Sequence, residues 1–388
     1  MTPRRVAGLA RALSPGTRVA LFFAALFVAA AINTAFLPLW FADRGIGPGA
    51  IGQILGAAAL LRVITGPIWG TLADRLGRRR PVLLGAAIVA TLTSLLYLAL
   101  RDLLPLLLLS VCQASAASAL NPLVDSLALA LARERRLDYG KVRAVGSAAY
   151  MVATAATGWL LTRTGTWIVP ILLALAYGGS ATAATTLPSA ATPPLVAHKL
   201  AGLRLLTQRP FRRIVVASAL IQGAHAAYYG FAPLFWRSHG FSDSTIGLLL
   251  AEAVIAEVAL FAWGRRVVER LGSPGLTACA AAASVLRWGV TAAAPTLPVL
   301  AAVQVLHAAT FAMQHLSAML VLSRTIPPER AATAQAVHAA LGMGAPTGLM
   351  MLLSGWVYAR WGGLVFLLMA ALGGAALPLA SRLPRAVA

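Results

Sequence analysis

Charge is what this sequence lacks. Aspartate and glutamate together number 11 in 388 residues, lysine occurs only at Lys141 and Lys199, and charged residues of both signs make up 11%. A soluble domain carries roughly 25% charged residues, so this chain cannot clothe itself in a solvated surface. Cysteine is nearly absent. Cys112 and Cys279 both lie inside apolar runs without metal-ligand spacing, which makes them small packing residues and leaves the redox compartment open. No Gly-x-x-x-x-Gly-Lys-Ser/Thr loop occurs, and no polar stretch is long enough for a nucleotide-hydrolysing domain, so the sequence argues for a gradient over ATP as the energy source. Thirty arginines beside two lysines, with abundant alanine, mark a GC-rich coding sequence and favour a bacterial source.

Apolar residues are what is there, at 59%. Apolar spans fall at 19–41, 50–71, 82–100, 103–131, 144–162 and 166–187 in the first half, and at 214–236, 245–263, 275–294, 297–323, 332–358 and 362–380 in the second. A helix of about 20 residues crosses the ~30 Å of a bilayer core, so the expected fold is an all-α membrane protein with twelve transmembrane helices. The net charge of +21 raises nucleic acid as a partner, but the basic residues alternate by connection. Arg4, Arg5, Arg11 and Arg18 precede span 1, Arg75 and Arg78 to Arg80 follow span 2, and Arg133, Arg135, Arg136, Lys141 and Arg143 follow span 4. Lys199, Arg204, Arg209, Arg212, Arg213, Arg265, Arg266, Arg270, Arg324, Arg330, Arg382 and Arg385 continue the pattern, whereas the odd-numbered connections hold single arginines. The positive-inside rule then sets both termini in the cytoplasm and dispenses with nucleic acid. Arg62 and Arg287, inside spans, do not fit that rule.

The stretch from Phe36 to Gly77 reappears 195 positions later without a gap. Pro38 falls on Pro233, Gly45 on Gly240, Gly52 on Gly247, and Asp74-Arg75-Leu76-Gly77 on Glu269-Arg270-Leu271-Gly272. A second echo sets GWLLTRTG (158–165) against GWVYARWG (355–362). Duplicated halves in an apolar chain indicate a transporter. The repeat also argues against cleavage of span 1 as a signal peptide after Ala29 to Ala31, since its counterpart in the second half is intact. The domains expected are a six-helix bundle over 1–186, a linker over 187–213 rich in proline, and a pseudo-symmetric six-helix bundle over 214–388. The end of the linker reads either as an amphipathic helix on anionic membrane lipid or as a solvated basic segment.

Gly70-Thr71-Leu72-Ala73-Asp74-Arg75-Leu76-Gly77-Arg78-Arg79-Arg80, between spans 2 and 3, resembles the G-x-L-a-D-R-x-G-R-[KR] signature of the major facilitator superfamily. The resemblance implies that Gly70, Asp74, Arg75, Gly77 and Arg78 form a cytoplasmic latch for one access state, with Asp74 capping a helix and arginines bonding helix-end carbonyls across the seam between halves. Within the superfamily, FLPLW…LLRVITGPIWGTLADRLGRRR, HAAYYGFAPLFW (225–236) and LRWGV…QVLHAATFAMQH (286–315) resemble the symporter branch for oligosaccharides, nucleosides and phenylpropionic acid, related to lactose permease.

An ionisable group at membrane depth costs at least about 2.5 kcal/mol, so each needs a partner or a job. Asp125 and Arg143 have the separation of the substrate-binding carboxylate and arginine in lactose permease, and Tyr150 stands where that permease has its stacking tryptophan. This resemblance implies a clamp for a polar or anionic substrate; a structural ion pair is the alternative. Asp and Tyr in place of Glu and Trp count against a sugar. In span 7, Gln222, His225, Tyr229 and Trp236, with Tyr228 beside them, form a polar-aromatic stripe that can line a cavity or belong to the core. Span 8 carries Glu252 and Glu257, about 140° apart on a helix, span 9 Arg287, and span 10 Gln304, His307, Gln314 and His315. Glu257 beside Arg287 or a histidine can load and release a proton, with His307 and His315 as the histidines for that role or as interhelical hydrogen-bonding groups. Arg62 coincides with Glu257 under the repeat and is its candidate gate partner.

These residues predict a proton-coupled importer of a small organic solute working by alternating access. An aromatic or other carboxylate is favoured because the polar stripe is rich in Tyr, Trp and His and two arginines are buried. A drug or metabolite exporter is the runner-up, opposed by a span 1 that offers only Asn33 instead of an acid; a sugar or nucleoside symporter and a transport-dead receptor are further alternatives. No covalent chemistry, cofactor or metal is expected. The partners expected are the solute, protons and membrane lipid, and the location is the inner membrane, as a monomer.

Overall fold

The computed structural model describes residues 13–188, 202–293 and 296–385. Arg4, Arg5, Arg11, Lys199 and linker residues 189–201 lie outside the described residues. All regular structure among the described residues is helical. Helix α1 is Pro15–Ala35, continued by Leu37–Asp43. Then come α2 Pro48–Leu76, α3 Arg79–Leu96, α4 Leu103–Arg133, α5 Tyr139–Thr164 and α6 Val169–Ala184. Helix α7 is Arg209–Gly223 continued by Ala226–Ser238, α8 is Asp243–Trp263 and α9 is Arg265–Ala293. Helix α10 runs from Leu297–Gln304 to Gln314–Thr325, α11 from Ala331–Val337 to Ala345–Trp361, and α12 is Val365–Gly374.

Eleven described helices are long and apolar enough to cross a membrane, and the last, Ala331–Ala380, has 50 residues. It reverses at Gly362, whose φ of 52° ends α11 before α12 begins. That turn makes twelve spans of eleven helices. Helix starts are fixed by side-chain caps: Ser14 accepts from the Thr17 amide at 3.1 Å, and Ser242 from the Thr245 amide at 3.2 Å. Helix α7 already begins at Arg209, inside the stretch read as linker.

The duplication is written into the backbone. The glycines with positive φ are Gly45, Gly77, Gly165, Gly240, Gly272 and Gly362, three pairs related by the repeat. At Gly77 (φ 60°) and Gly272 (φ 58°) a side chain would be strained, which explains why the turn after α2 and the kink within α9 both keep glycine. The second echo is equally concrete: the Arg163 guanidinium stacks 3.8 Å from the Trp159 ring and that of Arg360 4.2 Å from Trp356.

The described residues of Met1–Arg44 and Leu61–Val196 form one compact unit, and Gly45–Leu60 with Ala197–Ala388 a second. In unit 1, α1 packs against α5 and α6, and α3 against α4 and α6. Its core holds Phe22, Phe23, Phe36, Trp40 and Phe41, with Tyr97 edge-on to Trp40 at 5.7 Å. In unit 2, α9 packs on α12 and α10, and α7 on α11. The first turns of α2 belong to unit 2 because two glycines let backbones touch: a Cβ on Gly52 would sit 2.6 Å from the Gly355 Cα, closer than atoms approach. Large apolar side chains such as Leu92, Val152, Leu175 and Trp263 are exposed, as suits helices surrounded by lipid.

Around the signature, Gly77 donates its amide to the Asp74 carbonyl at 3.1 Å. Two expectations are corrected. Asp74 makes no capping hydrogen bond among the described residues, since α3 starts behind Arg78 without a side-chain cap. Arg80 does bond a helix-end carbonyl, that of Thr185, but this lies after α6 in its own unit, where Arg18 also reaches the Thr186 carbonyl at 3.5 Å. Gly70 lies within α2 with open space around its Cα, and Arg75 and Arg78 are exposed.

Candidate functional site

The site in unit 2 begins where helices are irregular. Helix α7 breaks at Ala224 and His225, and His225 sits in the break. Helix α10 leaves α-geometry after Gln304 and passes through a π-helical segment, Ala308–Met313, directly after His307. Such wide turns concentrate at functional sites because they aim side chains that a regular helix would disperse. Here they place Gln304, His307 and Thr310 around one residue of α9, Arg287.

Arg287 is fully buried. Its Nη2 donates to Gln304 Oε1 at 2.6 Å, and its Nη1 to His307 Nδ1 at 2.9 Å and Thr310 Oγ1 at 3.1 Å. The guanidinium carbon lies 4.5 Å from the Tyr228 ring and 4.3 Å from that of Trp288. A guanidinium can only donate, and this fixes the protons around it. His307 Nδ1 must accept, so its ring proton sits on Nε2, which is 3.4 Å from Glu257 Oε2. Thr310 accepts from Arg287 and turns its one proton to His225 Nε2 at 3.1 Å in preference to the His307 carbonyl at 3.4 Å, because His225 Nδ1 donates to the Ile221 carbonyl at 2.9 Å and leaves Nε2 to accept. Arg287 thereby sets the tautomer of His307, and the Ile221 carbonyl sets that of His225.

No carboxylate pairs directly with Arg287 among the described residues. Burying an ion without a counter-ion costs several kcal/mol; neutral acceptors and two aromatic faces, each worth up to about 2 kcal/mol when dry, offset part of that. The carboxyl of the cluster stands one residue away, on Glu257 beyond His307. Unmet donors remain: Arg287 Nε, Trp288 Nε1 and Trp236 Nε1 are buried without a hydrogen-bond partner. The cluster combines the Arg287 cation with donors left unmet, and its unfilled need is an acceptor.

Of the residues expected from sequence, His225, Tyr228, Tyr229, Trp236, Arg287, Glu257 and His307 converge here. Tyr229 stacks on His225 at 5.9 Å and Tyr228 meets Trp236 at 6.1 Å. His315 stands apart, its ring 6.4 Å from Phe261, although it interacts electrostatically with Glu257. Glu257, the candidate gate partner of Arg62, lies 3.4 Å from His307 in unit 2, and Arg62 is exposed on α2 in unit 1. Thr310 and Trp288 were missed. The signal was present, since Gln304, His307 and Thr310 repeat every three residues and Trp288 adjoins Arg287. Also missed was His338, whose Nε2 lies 2.9 Å from Ser218 Oγ, itself 2.9 Å from Gln314 Nε2, at the start of a second π segment, His338–Gly344.

Asp125, Arg143 and Tyr150 belong to unit 1. Asp125 accepts from Tyr139 Oη at 3.1 Å and Asn121 Nδ2 at 2.9 Å, with Arg143 Nε at 4.0 Å. Arg143 lies over the Phe27 ring at 4.3 Å. Tyr150 is half-buried on α5, two turns beyond Arg143.

Residues 17–370 match the family model described as the MFS_1 like family. The chain belongs to this family of the major facilitator superfamily. It is 31% identical over 359 residues to the "Probable 3-phenylpropionic acid transporter" of Escherichia coli (strain K12), covering 91% of this chain and 93% of that one. It is 28% identical over 345 residues to the maltose permease of Geobacillus stearothermophilus, covering 88% and 87%. The crystal structure of a mutant form of the nucleoside transporter NupG superposes with a TM-score of 0.84 at 15% identity, over 95% of this chain and 99% of that one. A D-xylose-proton symporter follows with a TM-score of 0.69 at 17% identity, over 97% and 98%. These likenesses in structure show the fold. The family consists of multi-pass membrane transporters of small molecules, not enzymes.

Proposed function

We propose that this transporter imports a small organic anion, an aromatic monocarboxylate of the 3-phenylpropionate kind, together with a proton. The observation that carries this reading is the fully buried Arg287, held by neutral acceptors and aromatic faces, with its Nε unfilled. A carboxylate accepts from a guanidinium in a two-pronged geometry, and Tyr228, Trp288 and His225 offer ring surfaces to a phenyl group. The relative's name supports the same chemistry.

Coupling follows from the chain Arg287, His307, Glu257. With Glu257 ionised, the arginine's charge is balanced through His307. When Glu257 takes up a proton, that balance is lost and a substrate carboxylate restores it, so proton and anion load together. Release of either favours release of the other, and alternating access between the two halves, 1–186 and 214–388 joined by 187–213, carries both across. The basic connections face the cytoplasm of an inner membrane by the positive-inside rule. Asp125 and Arg143 we assign to holding unit 1 together, since the carboxylate already accepts from Tyr139 and Asn121. The protein works as a monomer.

The experiment is uptake into proteoliposomes carrying an internal pH dye, with an imposed inward proton gradient. Addition of 3-phenylpropionate should acidify the lumen beyond the leak in empty liposomes. Transport without acidification removes proton coupling; acidification with maltose or a nucleoside but with no phenyl-substituted acid removes the anion reading.

A further inference from the structure

A second basic centre lies far along the chain from Arg287, at the start of α3, in the signature segment expected to latch one access state. The turn after α2 and the first residues of α3 enclose a cavity of about 480 Å³ lined by Arg78, Arg79, Arg80 and Gly77. Three consecutive arginines on one cavity repel one another. Arg80 spends a donor on the Thr185 carbonyl. Arg79 is different. It is only 8% exposed, it makes no hydrogen bond or ion pair among the described residues, and its Nη1 is buried without a partner. Asp74 acts on it electrostatically but accepts no bond from it.

The backbone adds to the same need. Helix α3 starts at Arg79 with Arg78 as its N-cap and no side-chain cap, so the positive end of the helix faces the turn unanswered. A helix start next to guanidinium groups is a receptor for phosphate oxygens. The remaining wall is apolar, from Pro81, Leu84, Leu127 and Pro188, and suits a group whose charged head is joined to a hydrocarbon body.

We propose that this cavity binds a phosphoryl anion, with Arg79 as its buried anchor and Arg78 at its mouth. Two sources share that chemistry: the headgroup of an anionic phospholipid in the leaflet beside the basic connections, and soluble phosphate. Bound there, the anion would neutralise the arginine run of the signature segment and stabilise the folded transporter by mass action.

The test uses the purified, delipidated full-length transporter in neutral detergent. Melting temperature is followed against phosphatidylglycerol, phosphatidylcholine and inorganic phosphate, and retained lipid is counted by native mass spectrometry. Wild type should gain stability and retain phosphatidylglycerol over phosphatidylcholine. Arg79→Gln should weaken this by roughly tenfold or more, the scale of losing a charge-assisted hydrogen bond, as should Arg78→Gln, which changes an exposed residue and so tests the site if Arg79→Gln does not fold. Arg133→Gln, an exposed charge outside the cavity, should behave as wild type. A response to phosphatidylglycerol alone identifies a lipid site, and an equal response to inorganic phosphate a soluble one; either supports the phosphoryl assignment. No response to any phosphate, or an equal response when Arg79 and Arg78 are replaced, overturns it.

Discussion

Nδ1 of His307 lies 2.9 Å from Nη1 of Arg287, which turns the protonated edge of the imidazole towards Glu257, 3.4 Å away. Because an arginine cannot accept, the direction of every hydrogen bond along this chain is set by one residue. Disturbance at either end must pass through His307.

Replacing the guanidinium should therefore weaken the substrate before it weakens anything else. Arg287→Gln removes the charge, and Arg287→Lys keeps it but loses the fork that holds Gln304 and His307 together. Affinity for 3-phenylpropionate should fall about tenfold to a hundredfold in each, on a scale of about 1.5–3 kcal/mol per charge-assisted hydrogen bond. Equilibrium binding to detergent-solubilised protein decides it. Unchanged affinity in Arg287→Gln would refute the anion site.

Glu257→Gln mimics the proton-loaded carboxyl and cannot release it. Accumulation driven by a proton gradient should disappear, while exchange of labelled for unlabelled substrate across a liposome with no gradient should persist. Loss of both, with normal folding, would mean that Glu257 serves binding and not coupling.

Asp125→Asn tests the assignment of the unit 1 pair. Asp125 receives Tyr139 and Asn121 and neighbours Arg143, so removing its charge should lower the melting temperature, with a cost of about 1–3 kcal/mol for groups left without their acceptor. Substrate affinity should stay within about twofold, the range of an additive change at a site that shares no hydrogen-bond partner with Arg287. A tenfold loss of affinity at wild-type stability would return Asp125 to the substrate site.

Gly355→Val should be poorly tolerated, since its Cβ would meet the Gly52 Cα at 2.6 Å and the Pro48 carbonyl oxygen at 3.0 Å, both backbone atoms with nowhere to go. Overpacking of this kind costs about 1–3 kcal/mol. Gly49→Ala, with nothing within 4 Å of its Cβ, is the control. Scanning fluorimetry should show a lower melting temperature in the first and not in the second.

Much of this was legible in the residues themselves. Length and apolarity determine the twelve spans, because a backbone in lipid has to satisfy its own hydrogen bonds and the helix does so locally. The internal repeat foretold the paired turns at Gly77 and Gly272, since a left-handed backbone position selects glycine wherever it recurs. The signature between spans 2 and 3 indicated the family. Helix membership of Glu257, Arg287 and His307 was equally plain, because rise along a helix places each residue at a depth.

What depth leaves open is direction, and only tertiary packing decided it. Whether Glu257 turns to His307 or elsewhere depends on how α8 and α10 are rotated against each other, and no residue count gives that angle. The π segment after His307 and the break at His225 each shift the helix face beyond them, so periodicity read from the sequence drifts where the chemistry lies. The first turns of α2 joined the second unit for a similar reason: two glycines permit backbone contact, but a partner surface had to be present to accept it. Composition made the helices; close packing chose which buried polar groups would meet.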